Sequence, residues 1–572
     1  MYRMIFFLFL WCIFLAATIH ADTKMYLMPV SELSLLLLVL WFGENITKNK
    51  WARLALRLAA ILGIGIYLLE CLYFSVVGEW VSVLAWQNVS QLYLVLSWQR
   101  ILLLCACGFI CVCYDRYVRC REVLPKSQIQ RRIWIGVCAL SLIAVIIQNG
   151  WILSEAKQRK LHPRPTPIVT FFSSAKKAFW AASYGDEIIG YPFEKDWIYD
   201  NNYDLIPRKP PTDSPNIILI FTEGTSARMI GCYGGRYPGL TPNIDAFAAH
   251  CMRVDNYFNH TAPTFQGTLG QLASCFTSGL WQYDKGLLAT RTYQTLPRLL
   301  NEKYDTIFLH PHKEEDPYTS LLQVCGFQTI YTRDTMPELL GYQPVHHHES
   351  ITDQDMYTAL IHYLERGKQN QQPFFLAMYT FDTHVGISMP EGGRPYSETT
   401  PNEVLDTLHT CDAAFGKFWE FFQQSPFKDN TIVILTADHA HYSDTPYVSL
   451  VKDDEDYTKY FIDRIPLIIY DPVHSLPAKY DAHDLTSLAL TPTICQLLGI
   501  NHVKNSFVGD SIFDENAQKS MQIAAMGNDF YAIIDHRVKR DDNVAENPEL
   551  WQSLKENIKR FYACEEVNRV YH

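Results

Sequence analysis

The chain has 572 residues, 48% of them hydrophobic, and a formal net charge of −11 at pH 7. A chain of this length is expected to hold more than one domain. Its acidic balance, without basic runs interleaved with aromatic residues, argues against nucleic acid as a partner. None of the fifteen cysteines forms a CxxC pair with the spacing of a structural zinc site.

The first 153 residues are predicted to form a transmembrane domain of five helices. Five apolar stretches approach the roughly 20 residues that a helix needs to span a bilayer. Lysine and arginine are concentrated after the second and fourth stretches, which places the N-terminus in the cytoplasm and everything after residue 153 outside. An alternative interpretation of the first stretch is a cleaved signal peptide, which leaves the remaining topology unchanged. The stretches are Met4–Ile19, Met25–Phe42, Leu54–Val77, Gln91–Tyr114 and Ile133–Leu153.

Residues 154–214 are interpreted as a connector. Basic residues and aromatic residues at roughly helical spacing indicate an amphipathic element on the outer face of the membrane. The alternative is an arm that packs against the following domain. A group of prolines ends the connector, and a third domain is predicted over residues 215–572.

From Asn216 onward, strand-like runs alternate with helical patterns. This alternation is typical of a layered α/β domain with a mainly parallel sheet. The predicted strands are Ile217–Phe221, Thr306–Leu309, Phe374–Tyr379, Thr431–Leu435 and Leu467–Tyr470, and the clearest helices are Thr295–Glu302, Asp355–Arg366 and Val404–Gln424.

Two of these strands end in side chains that bind metal ions. Glu223 follows the first strand, and Asp438 and His439 follow the fourth. Because α/β sheets place their chemistry at the carboxyl ends of the strands, we expect these side chains to meet in one site. Two carboxylates and an imidazole suit a divalent cation. The alternative is two core strands with ordinary polar ends.

The same residues carry a resemblance to a known family. Pro215–Ile220 and Thr241–Asp245 resemble the opening of the sulfatase-like branch of the alkaline phosphatase superfamily. Asp438-His439 resembles the downstream metal motif of that branch, and Arg464–Asp471 resembles the strand that follows it. The resemblance keeps chain order as far as Phe513. It implies a soluble sulfatase-like domain with a mainly parallel central sheet, preceded here by the five predicted transmembrane helices.

Within this superfamily the chain is most similar to membrane-anchored transferases, namely lipopolysaccharide phosphoethanolamine transferases and lipoteichoic acid synthases. These proteins have five N-terminal helices and an outward-facing catalytic domain, and they carry glutamate at the position of Glu223, where sulfatases carry paired aspartates. The sulfatase C/S-x-P-x-R motif is missing from Asn259–Gly279, which is rich in threonine. The resemblance implies a multi-pass protein of the bacterial inner membrane with a periplasmic catalytic domain.

Three threonines are candidate nucleophiles in this stretch. Thr264 is favoured because Thr264–Gly267 resembles the T-F-P-N element of the superfamily's phosphodiesterases. Thr268 is the second candidate and Thr261 the third. A hydroxyl at position 264 could instead cap the following helix, a role compatible with catalysis. The resemblance implies that Glu223, Thr264, Asp438 and His439 bind one cation, with zinc favoured and manganese possible.

Several histidines are candidates for supporting roles. His384 follows the third predicted strand and is expected to bind the substrate phosphate or to act as a general acid, with a structural histidine as the alternative. His310–Lys313 resembles the head-group element of lipoteichoic acid synthases without its tryptophan and arginine. His346–His348 is expected to lie in a solvated loop. His441 and Arg464 are candidates to line or to shape the site.

The implied activity is transfer of a phospho-head group from a membrane phospholipid to a cell-surface glycan such as lipopolysaccharide, through a phospho-threonine intermediate. Phosphatidylethanolamine is the favoured donor, and the membrane itself is an expected partner. The alternatives are a phosphoglycerol transferase, a sulfatase- or phosphodiesterase-type hydrolase, and a non-catalytic binding module with a vestigial metal site.

Overall fold

In the computed structural model, the described residues are 49–77, 194–200, 205, 214–278, 292–366, 372–397, 399, 401–514, 521–527 and 529–566. The chain divides into two compact units, residues 1–183 and 184–572. Four predicted membrane stretches lie outside the described residues, as does most of the connector. These stretches are Met4–Ile19, Met25–Phe42, Gln91–Tyr114 and Ile133–Leu153.

The described part of the first unit is one helix, Lys50–Val77. It covers the third predicted stretch, Leu54–Val77. No helix in the ranges given above is both long enough and apolar enough to cross a membrane. A helix is thus present where the third stretch was predicted. The prediction that this helix spans a membrane is not confirmed.

The second unit is built on an eight-stranded sheet. Its strands are β1 (Asn216–Thr222), β2 (Met252–Asp255), β3 (Asp305–Leu309), β4 (Thr329–Tyr331), β7 (Phe374–Tyr379), β8 (Thr431–Ala437), β9 (Leu467–Tyr470) and β10 (Lys479–Asp481), while β5 (His346–His347) and β6 (Ser350–Ile351) form a separate pair. The order in the sheet is β10-β2-β9-β8-β1-β7-β3-β4. All neighbouring pairs are parallel except the two pairs of β9, with β8 and with β2. The predicted α/β class and the mainly parallel sheet are confirmed.

Helices cover both faces of this sheet, which is why β1 is buried along its whole length. Ile217 and Leu219 belong to the hydrophobic core on one face, and Ile218 and Ile220 to the core on the other. Helices on the first face are Thr264–Ala273, Leu296–Leu300, Pro317–Cys325 and Leu490–Leu497, and those on the second are Pro242–Ala248, Met336–Leu340, Asp353–Arg366 and Glu403–Gln424.

The register of the central strands brings their ends together. Phe221 of β1 is paired with Tyr379 of β7, and Thr222 is paired with Ala437 of β8. Residues that follow these three strands therefore leave the sheet side by side at its carboxyl edge. Glu223 and Asp438 are the first polar side chains after β1 and β8.

All five predicted strands are present in the structure, and the three predicted helices are found within three residues of their predicted ends. The elements without a prediction are mostly short or C-terminal. They include β2, β4, β5, β6 and β10, helices at Pro242–Ala248, Pro317–Cys325, Met336–Leu340 and Thr445–Val451, a three-stranded antiparallel sheet of β11 (Gln522–Met526), β12 (Asp529–Ile534) and β13 (Arg537–Arg540), and the final helix Pro548–Glu566.

Candidate metal centre

Glu223, Asp438 and His439 converge at the carboxyl edge of the sheet. One ligand atom from each lies within 4.8 Å of the other two. His439 Nε2 is 3.4 Å from Asp438 Oδ2 and 3.6 Å from Glu223 Oε1. The three side chains are almost completely buried, with exposures of 1%, 0% and 0%. The structure therefore brings together residues that are 215 and 216 positions apart in the sequence.

Backbone groups orient the ligand atoms. The amides of Gly224 and His439 both donate to Asp438 Oδ1, each at 2.8 Å, which leaves Oδ2 facing the centre. His439 Nδ1 is 2.7 Å from the carbonyl oxygen of Ala440. A ring that donates from Nδ1 presents its Nε2 lone pair to the centre, as a metal-binding imidazole does. Gly224 has φ +50°, a left-handed conformation that favours glycine.

Thr264 adds a hydroxyl to these three side chains. Its Oγ1 donates to Glu223 Oε2 at 3.0 Å and lies 3.3 Å from His439 Nε2. Thr264 is the first residue of the helix Thr264–Ala273, and Pro263 occupies the cap position. The alternative role of Thr264 as a capping residue is therefore not what the structure shows.

The helix that carries Thr264, called the Thr264 helix below, is fixed against the end of β8. Gln271 Nε2 donates to the carbonyl oxygens of Ala437 and Asp438 at 3.0 and 3.1 Å. A Cβ at Gly267 would stand 2.3 Å from the Asp438 carbonyl oxygen, so only glycine permits this approach. The distance between Thr264 and Asp438 is thus set by packing of the helix on the strand.

The other two candidate threonines point elsewhere. Thr268 is one turn further along the Thr264 helix, and its Oγ1 accepts a hydrogen bond from the Tyr318 hydroxyl at 2.8 Å. The Thr261 hydroxyl contacts only the carbonyl oxygen of the next residue, Ala262, at 3.4 Å among the hydrogen bonds of the described residues. Of the three, only Thr264 has its hydroxyl in contact with the candidate metal ligands among the described residues.

The donor set fits a divalent cation. Glu223 Oε1 and Asp438 Oδ2 are buried and have no hydrogen-bond partner within the part of the chain that the structure describes. Buried carboxylates without a partner are costly, and a cation between them removes that cost. Two carboxylates, an imidazole and a hydroxyl would hold zinc, and this oxygen-rich set also accepts manganese.

The pKa values of Asp438 and His439 also indicate a site that favours positive charge. Burial, together with the neighbouring Glu223 carboxylate, raises the pKa of Asp438 to about 7. Burial lowers the pKa of His439, but the carboxylates of Asp438 and Glu223 outweigh it and raise the pKa above its ordinary value. A bound cation opposes both changes, because it stabilises the carboxylate and the neutral imidazole.

His384 lies near this centre, in the segment that follows β7. Its Nδ1 is 2.9 Å from the carbonyl oxygen of Val385, so the neutral ring has an accepting Nε2. Burial lowers the pKa of His384, and the charge of His439 acts in the same direction. A neutral imidazole with this tautomer suits a proton acceptor, whereas a hydrogen bond to a phosphate oxygen or the role of general acid would require the protonated ring.

Beside the centre lies a layer of stacked rings. His310 is fully buried, neither of its ring nitrogens has a partner in the described ranges, and it stacks on Tyr318 with centroids 4.9 Å apart. Tyr318 in turn stacks on Tyr379 at 5.4 Å. His312 packs edge-on against Phe381 at 4.4 Å. These ring contacts connect His310 and His312 to Tyr379, whose hydroxyl donates to Glu223.

The other histidines and Arg464 have structural partners. Of His346–His348, expected in a solvated loop, His346 and His348 are exposed. His347 is partly buried, and its Nδ1 bonds the buried Asp382 at 2.9 Å. The residues His346–His347 form strand β5, which pairs with β6. The His441 ring stacks on Tyr447 with centroids 4.6 Å apart. Arg464 pairs with Asp456 at 2.6 Å. His441 and Arg464 therefore shape the surroundings of the centre.

Sequence reasoning missed three residues that the structure connects to the site. The Tyr379 hydroxyl donates to Glu223 Oε2, Tyr318 donates to Thr268, and Gln271 holds the Thr264 helix. Tyr379 could have been suspected from its place at the end of a strand beside β1. The sequence holds no comparable signal for Tyr318 or Gln271, because each acts through a contact between distant elements.

A hydroxyl beside a buried set of metal-type donors suits enzymes that transfer or hydrolyse phosphoryl or sulfuryl groups. The sulfatase family model matches residues 215–500, half of the chain, and the chain therefore belongs to the sulfatase family. It is a member of the sulfatase-like alkaline phosphatase superfamily.

Solved structures show the same fold. A protein of the alkaline phosphatase superfamily from Vibrio parahaemolyticus aligns with a TM-score of 0.50 at 18% identity, covering 66% of this chain and 94% of that one. The lipoteichoic acid synthase LtaP from Listeria monocytogenes aligns with a TM-score of 0.50 at 17% identity, covering 64% and 95%. At these identities the likeness concerns the fold alone.

One curated relative matches locally. The N-acetylglucosamine-6-O-sulfatase of Bacteroides thetaiotaomicron is 30% identical over 101 residues, which is 17% of this chain and 17% of that protein. The match therefore spans about a sixth of the relative's length.

Proposed function

We propose that this chain transfers a phospho-head group, with phosphoethanolamine favoured, from a membrane phospholipid to a glycan acceptor such as lipopolysaccharide. The observation that carries the proposal is the position of Thr264, whose hydroxyl lies within 3.3 Å of two of the candidate metal ligands. A hydroxyl nucleophile suits phosphoryl transfer through a covalent intermediate. The sulfatase nucleophile motif C/S-x-P-x-R is missing from Asn259–Gly279, the segment that contains Thr264.

The chemistry proceeds in two steps at Thr264. A bound divalent cation lowers the pKa of a coordinated hydroxyl and neutralises charge on phosphate oxygens. Thr264 Oγ1 loses its proton and attacks the phosphorus, the bond to the diacylglycerol oxygen breaks, and that oxygen takes up a proton. In the second step an acceptor hydroxyl loses its proton and attacks the same phosphorus, and Thr264 regains its hydroxyl.

We assign proton transfer in these steps to His384. Its Nδ1 lies against the Val385 carbonyl oxygen, so Nε2 of the neutral ring is an acceptor. We propose that it takes the proton of the acceptor hydroxyl in the second step. The protein supplies orientation at the same time, because Gln271 fixes the Thr264 helix relative to Asp438.

The choice of a lipid donor rests on the amino-terminal sequence. Its five apolar stretches support a multi-pass anchor in a bacterial inner membrane, with the catalytic domain in the periplasm. Such an anchor keeps the centre near the phospholipid head groups. The acidic residues after His312 suit the ammonium of ethanolamine, but Asp316 is also the cap of the helix Pro317–Cys325, so its contribution to the choice of head group is small.

The test uses the full-length protein in vesicles that contain phosphatidylethanolamine or phosphatidylglycerol labelled in the head group. Three products are followed by mass spectrometry: labelled glycan, labelled Thr264 and free head-group phosphate. We expect labelled glycan, an adduct on Thr264, and faster reaction with phosphatidylethanolamine. Preference for phosphatidylglycerol would identify a phosphoglycerol transferase. Free head-group phosphate as the main product would identify a hydrolase and refute the transfer reaction.

A further inference from the structure

We propose that Tyr379 is a positioning residue of the metal centre, which acts by holding one oxygen of Glu223 so that the other faces the cation. Tyr379 is the last residue of β7 and is paired with Phe221 of the neighbouring strand β1. It therefore reaches the Glu223 side chain from the adjacent strand end, and its side chain is 2% exposed.

The two oxygens of the Glu223 carboxylate have different surroundings. Oε2 accepts hydrogen bonds from the hydroxyls of Tyr379 and Thr264, the latter at 3.0 Å. Oε1 has no hydrogen-bond partner among the described residues and lies 3.6 Å from His439 Nε2. Rotation of the carboxylate would exchange the two oxygens, and the phenol opposes it. Partners of this kind orient a metal ligand without binding the metal themselves.

The role of Tyr379 becomes larger when Thr264 reacts. A threonine that has given up its proton no longer donates to Glu223 Oε2. Within the described ranges the Tyr379 hydroxyl is then the remaining side-chain donor to this oxygen. We therefore expect Tyr379→Phe to lower kcat more than it raises KM, because the hydrogen bond from the Tyr379 hydroxyl to Glu223 matters most after deprotonation of Thr264.

Tyr318 provides the matched control. Its ring stacks on Tyr379 with centroids 5.4 Å apart, it is also buried, and its hydroxyl donates to Thr268 and not to a candidate ligand. Tyr379→Phe and Tyr318→Phe each remove one buried hydroxyl and keep the ring. Only the first change removes a contact to Glu223.

The experiment measures cation binding by the full-length protein without any lipid. Zn²⁺ affinity is determined by competition with a chelating dye, and the visible absorption of the Co²⁺-loaded protein reports the ligand geometry. We expect Tyr379→Phe to weaken Zn²⁺ binding about 10- to 100-fold, as loss of an outer partner of a metal ligand does, and to alter the Co²⁺ spectrum. Tyr318→Phe is expected to keep the wild-type affinity and spectrum.

Wild-type affinity and an unchanged Co²⁺ spectrum in Tyr379→Phe would overturn the proposal, and so would an equal loss in Tyr318→Phe, since that result assigns the effect to packing. The role of Tyr379 rests on the proposed function only through the cation. A wild-type protein that binds Zn²⁺ but transfers nothing from lipid would refute the proposed function and leave the Tyr379 comparison intact. A wild-type protein that binds no Zn²⁺ would refute both.

Discussion

Replacing Thr264 separates catalysis from folding more sharply than any other single change. Thr264→Ala removes one hydroxyl, whose hydrogen bond to Glu223 Oε2 is 3.0 Å long. The loss of one such bond costs about 0.5–1.5 kcal/mol of the free energy of unfolding. The same atom is the proposed nucleophile, so transfer should fall by at least about 10⁴-fold, as it does when a nucleophile is removed from a catalytic unit.

Thr268→Ala is the matched control on the same helix. Its hydroxyl accepts from the buried Tyr318 phenol at 2.8 Å, and removing it leaves that donor unsatisfied, at a cost of about 1–3 kcal/mol. We therefore expect different results: Thr264→Ala loses activity with only a small loss of stability, whereas Thr268→Ala loses more stability and keeps its activity. Thr264→Ser retains an attacking oxygen and should retain part of the activity.

The assay is transfer of labelled head group to a glycan in vesicles, with the melting temperature measured on the same preparations. Activity of Thr264→Ala within about tenfold of wild type would contradict the reasoning, since no nucleophile removal leaves so much. Loss of activity in Thr268→Ala with its fold intact, together with an adduct on Thr268 in the wild-type protein, would identify Thr268 as the nucleophile.

The other predictions concern the cation, the proton and the helix. Burial raises the pKa of Asp438 in the cation-free protein to about 7. A proton therefore competes with Zn²⁺ below that pH, affinity should rise with pH and level off above about 7, and a flat profile in dye-competition titrations would contradict this. The Asp438 carboxyl has an ordinary pKa of 3.8, so the folded protein without a cation binds its proton more tightly than the unfolded chain does. The free energy of unfolding should therefore fall as pH rises from about 3.8 to about 7. His384→Gln should lower kcat by about 10²–10⁴-fold and leave Zn²⁺ affinity unchanged in the same titrations; lost affinity would show that His384 is a ligand. Gln271→Leu leaves the carbonyl oxygens of Ala437 and Asp438 without their donor. The free energy of unfolding should therefore drop by about 1–3 kcal/mol, and kcat should also fall. An unchanged melting temperature would argue against this role for Gln271.

The central strands and the ligand candidates at their ends were predictable because local signals coincide there, whereas Thr264 was favoured through the family resemblance. Ile217–Phe221 and Thr431–Leu435 are buried apolar runs, and such runs are typical of parallel strands covered on both faces. Each ends in an acidic residue, and strand ends share one edge of a parallel sheet. Glu223 and Asp438 could therefore be placed together from the sequence, although they are 215 positions apart.

The remaining features depend on contacts between elements, which no local pattern records. Gly267 allows the Thr264 helix to approach β8, yet a glycine within a helical pattern gives no indication of what lies opposite. Strands such as Thr329–Tyr331 and Lys479–Asp481 have only three residues each, too few for a periodicity. The pairing of His347 with Asp382 joins two segments that are 35 residues apart, so the histidine triplet looked like a polar loop.

The most direct measurement is X-ray absorption spectroscopy of the Zn²⁺-loaded full-length protein, together with its Thr264→Ala and Asp438→Asn variants. The account predicts one nitrogen and two or three oxygen ligands at about 2.0–2.2 Å, a loss of one oxygen ligand in Thr264→Ala, and little bound metal in Asp438→Asn. Sulfur ligands, a shell of several histidines, or full metal content in Asp438→Asn would place the cation elsewhere and contradict the account.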